Sequence, residues 1–175
     1  GSEDKTVRVW NPAAGGAAIE AESEGHSGGV SALVNFVEPA TGALRVATGS
    51  ADKTIRVWDA ETGGVLLVID VGSDMFALAF FVDPATGAPR LVCCCDEEVR
   101  VFDAGAGGEA LLVIDVEARA LELFTDPATG APRLACGCYD KLPVFDPVVG
   151  GETLVVIDVG SGVFALAVFA GPATG

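Results

Sequence analysis

The side chains with the clearest route to chemistry in this sequence are five cysteines, Cys93, Cys94, Cys95, Cys136 and Cys138, and a single histidine, His26. Thiolates are soft ligands suited to zinc, and CCC and CGC sit on corresponding segments of adjacent sequence units. Their spacing argues against a metal. A strand sends Cys93 and Cys95 to one face and Cys94 to the other, and no CxxC pair exists. Free thiols acting as small buried apolar groups fit the pattern better. One histidine excludes His-based acid and base catalysis and a multi-histidine metal site on count alone. Ser27, Ser31 or Thr48 could pair with His26, but nothing around them resembles a nucleophile elbow or an oxyanion loop. Asp70, Asp115 and Asp158 recur in the phrase VID as a rim position, with no loop that converges several oxygens on calcium. The pairs Gly63-Gly64, Gly107-Gly108 and Gly150-Gly151 belong to hairpin turns and open no phosphate-cradling helix. The sequence therefore assigns no catalytic residue, no metal and no cofactor.

What positions these residues is a repeat. GSADKTIRVWDA at 49–60 returns, altered, as GSEDKTVRVWN, CCCDEEVRVFD and GCYDKLPVFD; its aromatic residues Trp10, Trp58, Phe102 and Phe145 are 48, 44 and 43 residues apart. The tetrapeptide PATG keeps the same beat, starting at Pro39, Pro84, Pro127 and Pro172. Within a period, apolar runs of strand length are cut by Gly, Pro, Asp and Thr, with no helical spacing. Four strands can be read per unit: VSALVNFV, LRVATGS, TIRVWD and VLLVIDV in the first complete one. The units span approximately 25–71, 72–116 and 117–159, with partial units at 1–24 and 160–175. The N-terminal piece supplies a third and a fourth strand, and VFALAVFA at the other end supplies a first. Fifteen strands are expected. A four-stranded sheet with two apolar faces cannot hide both alone, and stacking neighbours around an axis hides them.

The chain has 175 residues, half of them apolar, which is enough for one domain with a substantial core. A formal charge of −15 repels phosphate backbones and anionic lipid, so nucleic acid and membrane surfaces are poor partners and basic protein surfaces better ones. No basic head precedes an apolar run at the start, and no apolar run approaches the roughly 20 residues of a spanning helix. An odd number of clustered cysteines favours a reducing compartment, and a cytoplasmic location is expected.

GSADKTIRVWDA, with Gly25-His26 ahead of the first strand, resembles the signature of the WD-repeat family of β-propellers. The resemblance implies an all-β propeller of four-stranded antiparallel blades, three complete and one split between the termini. It also implies a buried hydrogen-bond set of His26, Thr48, Asp52 and Trp58 within the first complete blade. In the next two units the set is removed together: Cys93 and Cys136 replace the threonine, Phe102 and Phe145 the tryptophan, and Val71 and Val116 the histidine. That agrees with the rule that a half-satisfied polar network is worse than none. Trp10, in the split unit, should lack an internal partner. Pro143 stands at an arginine position in a third strand, where a bulge or a break in pairing is expected.

By the same resemblance the function is that of a non-catalytic protein–protein interaction platform, docking partners at the turns before first strands and between second and third strands. Ser73, Asp74, Glu117, Arg119 and Tyr139 break the repeat there and are the expected partner-binding residues. Alternatives are a small-molecule-binding or catalytic propeller acting through the central channel, and a structural fragment without activity of its own. Four units raise a closure problem, which two copies forming an eight-position ring would solve.

Overall fold

The computed structural model describes residues 25–168. The described residues form three four-stranded antiparallel sheets, each a simple meander, and no helix. The first holds β1 (Val30–Val37), β2 (Leu44–Ser50), β3 (Thr54–Asp59) and β4 (Val65–Asp70). The second holds β5 (Ala77–Val82), β6 (Pro89–Cys94), β7 (Glu98–Asp103) and β8 (Leu112–Asp115). The third holds β9 (Ala120–Thr125), β10 (Pro132–Gly137), β11 (Lys141–Phe145) and β12 (Val155–Asp158). β1 lies against β5 and β5 against β9, so the first strands sit side by side and the sheets stack as propeller blades.

The turns explain the recurring words. In PATG the acid before the proline and the closing glycine make one device. The Gly42, Gly87 and Gly130 N–H groups donate to the carbonyls of Glu38, Asp83 and Asp126 at 2.8–2.9 Å, and each glycine has φ of 71–73°. The acid after the aromatic residue does similar work: Asp59, Asp103 and Asp146 Oδ1 accept backbone N–H groups two and three residues on.

Two layers of core lie between the blades. Phe36, Ala47, Ile55, Val57 and Ile69 of the first sheet meet Leu91, Cys93, Cys95 and Phe102 of the second. Phe81, Val92, Cys94, Val99, Val101 and Ile114 of the second then meet Leu121, Leu134, Cys136, Cys138 and Phe145 of the third. The period of two thus splits the Cys93-Cys94-Cys95 run between the two layers, and all five thiols are free and buried.

Two sequence expectations meet the structure differently. The ladder between β10 and β11 registers only at Leu134↔Phe145 and Ala135↔Val144, whereas β6 and β7 continue through Cys93↔Arg100 and Cys94↔Val99. Pro143 has no N–H to give, so pairing stops there on the β10 side while β12 still registers with it. Residues 163–168, expected to be the start of a strand, carry no strand pairing. The expected strands at 6–10 and 17–22, with Asp4 and Trp10, lie outside the described residues, as does the end of VFALAVFA. No described helix is long and apolar enough to cross a membrane.

Candidate functional site

The fold gathers two kinds of turn at one end of the blades. The backbone shows it directly: the Val71 N–H donates to the Lys53 carbonyl, Arg119 N–H to Gly137 and Val159 N–H to Asp140, tying each connection between blades to a turn between second and third strands. This end carries the polar residues singled out from sequence.

Beneath it, in the first blade, four side chains form a chain of hydrogen bonds. Trp58 Nε1 donates to Thr48 Oγ1 at 2.8 Å, Thr48 Oγ1 lies 2.8 Å from His26 Nε2, and His26 Nδ1 lies 2.9 Å from Asp52 Oδ2. An ionised carboxylate can only accept, which puts the imidazole proton on Nδ1 and leaves Nε2 to accept from the threonine hydroxyl. Thr48 is fully buried and His26 and Trp58 nearly so. Burial alone would raise the Asp52 carboxyl, but hydrogen bonds from the Thr54 hydroxyl, the His26 ring and the Ser27 N–H overrule it and hold the group well below its ordinary 3.8. Gly28 lets the loop close here: a Cβ on it would meet the Asp52 nitrogen at 2.6 Å, so no side chain fits.

The expected partner-binding residues are placed unevenly. Arg119 stretches across two inter-blade connections, its guanidinium 4.0 Å above the Phe76 ring and its Nη2 3.1 Å from Glu117 Oε1. Asp74 is exposed, and Tyr139, in the neighbouring turn, is the most open large hydrophobic side chain among the described residues at 84 %. Ser73 differs. Its hydroxyl is buried without a full hydrogen bond and faces Cys95 rather than solvent.

That serine borders a hollow of about 460 Å³ lined by Cys95, Glu98, Arg100 and Asp115 among others. Cys93 Sγ lies 3.7 Å from Cys95 Sγ. The Cys95 thiol and burial push Cys93 up, while Cys95 is lowered to about 7 by the Cys93 thiol, against burial, with help from Ser73 and Arg100. Burial pushes Cys94 up to about 11 and raises Cys136 and Cys138. Among the described residues no group of three or more His, Cys, Asp or Glu is placed to hold a metal.

Sequence reasoning missed a set at the opposite end. Arg45 reaches Asp59 at 2.5 Å and Glu38 at 3.1 Å; Arg90 pairs with Asp103 and, at 3.7 Å, with Asp83; Arg133 lies 3.3 Å from Asp126 and 3.4 Å from Asp146. Each arginine thus fastens the PATG turn to the turn after the third strand. The signal was available, since the arginine recurs with the PATG period. Arg100 was missed as well: it pairs with Glu98 and donates to the Val71 carbonyl, linking the second blade to the first.

Comparison with known proteins agrees with this geometry. A family model described as "WD domain, G-beta repeat" matches residues 20–59, which include Gly25-His26 and the first blade as far as β3. No curated protein sequence matches the chain. Among solved structures, the crystal structure of the computationally designed Ika8 protein is similar at a TM-score of 0.70 and 30 % identity. The match covers 97 % of this chain and 49 % of that one, so this chain spans about half the length of the designed protein.

Proposed function

We propose, from the premise that this is a WD-repeat chain folded as propeller blades, that it is a non-catalytic platform on which other proteins dock at the end carrying Asp74, Glu117, Arg119 and Tyr139. WD repeats are in general protein-interaction scaffolds, and the exposed polar residues at this end support docking there. The carrying observation is Arg119, held between the Phe76 ring and Glu117, with an exposed tyrosine in the neighbouring turn. A pre-ordered arginine beside an open aromatic ring is the composition of a binding hot spot, because little side-chain freedom remains to be lost. A formal charge of −15 favours a partner with a basic surface. A second copy of the chain, completing an eight-position ring, is a further partner under this reading. Buried, unbridged thiols suit a reducing, cytoplasmic setting.

A catalytic role in the central channel has less to work with. The first strands are mainly apolar, and their Leu78 and Phe80 pack against the core between the first two sheets and Leu123 against the next.

The test uses a photo-crosslinking residue at Tyr139, with Thr41 in the opposite turns as control. A protein captured at Tyr139 and not at Thr41 is then titrated with purified chain. The triple substitution Asp74→Ala, Arg119→Ala, Tyr139→Ala should weaken that binding at least about tenfold. Unchanged affinity, or equal capture at Thr41, refutes the assignment of this face.

A further inference from the structure

We infer that Cys93 and Cys95 form a peroxide-reactive dithiol site, in which hydrogen peroxide oxidises Cys95 and Cys93 then closes a disulfide with it. This goes beyond the docking role and uses groups that role leaves idle.

The two cysteines stand two residues apart on one face of the second blade, in the same core layer, with their Sγ atoms 3.7 Å apart. A disulfide closes at about 2.05 Å, so the sulfurs have less than about 2 Å to travel. Cys95 borders the hollow of about 460 Å³ together with Ser73, Glu98 and Arg100. At 1 % exposure it is closed to bulky reagents, while the hollow beside it has room for an oxidant little larger than water.

The groups around that hollow fit the reduction of an O–O bond. The Cys93 thiol, ahead of Ser73 and Arg100, lowers Cys95 to about 7 against burial and the Glu98 charge, which leaves much of it as thiolate at neutral pH. The Ser73 hydroxyl, buried without a full hydrogen bond, is free to hold the peroxide by one. Arg100 is anchored by Glu98 and the Val71 carbonyl, which keeps its positive charge at the hollow, where hydroxide would leave. Cys93 is pushed up, so it stays protonated and carries the proton that the second step needs.

The third blade supplies the contrast. Cys136 and Cys138 repeat the step of two, but Pro143 stands at the place of Arg100, and the Cys138 thiol donates to the Cys136 carbonyl at 3.7 Å. Burial raises both thiols. Cys94 faces the other layer and is pushed up to about 11 by burial.

The chemistry balances without a further reactant. The Cys95 thiolate attacks one peroxide oxygen; an S–O bond forms, the O–O bond breaks, and the hydroxide that leaves takes a solvent proton to become water. The sulfur, oxidised by two electrons, is then a sulfenic acid. Cys93 attacks that sulfur; the S–S bond forms, the S–O bond breaks, and the hydroxyl leaves with the Cys93 proton as a second water.

The test treats the fully reduced chain with one equivalent of hydrogen peroxide under native conditions at neutral pH, then denatures it, blocks the remaining thiols and reads the intact mass. The wild type should become two hydrogens lighter, keep three of its five thiols for blocking, and revert with dithiothreitol. Cys94→Ala should still form the bridge, which confines it to Cys93 and Cys95. Cys93→Ala should stop one oxygen heavier, as a sulfenic acid trapped by dimedone; Cys93→Ser gives the same reading if the alanine variant loses its strand signature in circular dichroism. Ser73→Ala should slow bridge formation at least about tenfold. It should also move the midpoint of the pH profile above the wild-type value of about 7, a shift that loss of packing alone would not produce. Five free thiols after treatment, a bridge that survives Cys95→Ala, loss of Cys136 and Cys138 at the same rate, or a Ser73→Ala variant with unchanged rate and pH profile overturns the inference.

Discussion

The hydrogen-bond chain of the first blade invites a cycle of substitutions whose end point the protein has already written elsewhere. Where the first blade has His26, Thr48 and Trp58, the second has Val71, Cys93 and Phe102 at the matching places. Thr48→Cys alone leaves the Trp58 N–H without its acceptor 2.8 Å away, in a site where threonine is 0 % and tryptophan 7 % exposed. Stranding a buried donor costs about 1–3 kcal/mol. Trp58→Phe and His26→Val each strand the threonine hydroxyl on one side, and His26→Val also takes a partner from Asp52, so each single change should cost a similar amount. Summed, the three come to roughly 3–9 kcal/mol. The triple variant strands neither the indole nor the hydroxyl, since both are gone together. Its loss should fall short of that sum by about 0.5–3 kcal/mol, the usual coupling within one network. Packing lost with the indole enters both the single and the combined variant and cancels from the coupling. Urea midpoints and slopes for all members of the cycle measure it. Additive losses would refute the claim that the polar trio stands or falls as a unit.

Arg90→Met should lower the thermal midpoint by a few degrees, because Asp83 and Asp103 then face each other without the cation between them. Arg90→Lys should recover little, since a point charge cannot fork to both carboxylates; full recovery would show that charge alone matters. Acid should destabilise the fold in a defined window. Asp52 and Asp103 are held below 3.8, so the folded state binds fewer protons than the unfolded chain. Their contribution is complete above that value and is lost as pH falls below it towards the folded pKa values. Urea midpoints should therefore drop between about pH 5 and pH 2, and Asp52→Asn should flatten that drop; an unchanged pH profile for the variant would contradict the assignment.

Much of the architecture was legible because each strand is a period-two run bounded by a turn with its own vocabulary. PATG and GG mark hairpins for physical reasons: an acid that caps N–H groups and a glycine that takes positive φ. Other features needed the structure. Whether 163–168 becomes a strand depends on a pairing partner rather than on its own apolar pattern, and that partner lies outside the segment. Ser73 sits in a polar connection, so the sequence reads it as surface, but its hydroxyl turns inward to Cys95. The arginine clamps were written at a constant period, yet their two carboxylate partners lie at different distances along the chain, and only the hairpin geometry brings all three together.

The central claim is that each blade is the wall of the next, sealed by side chains that alternate between two layers. Thiol accessibility tests it directly, because Cys93 and Cys95 lie in one layer and Cys94, Cys136 and Cys138 in the other. Under native conditions all five should react with a thiol reagent orders of magnitude more slowly than in denaturant, even Cys95 with its lowered pKa of about 7. Fast native labelling of Cys94 and Cys136 together, or of Cys93 and Cys95 together, would show that the corresponding layer is open and would contradict the stacked arrangement.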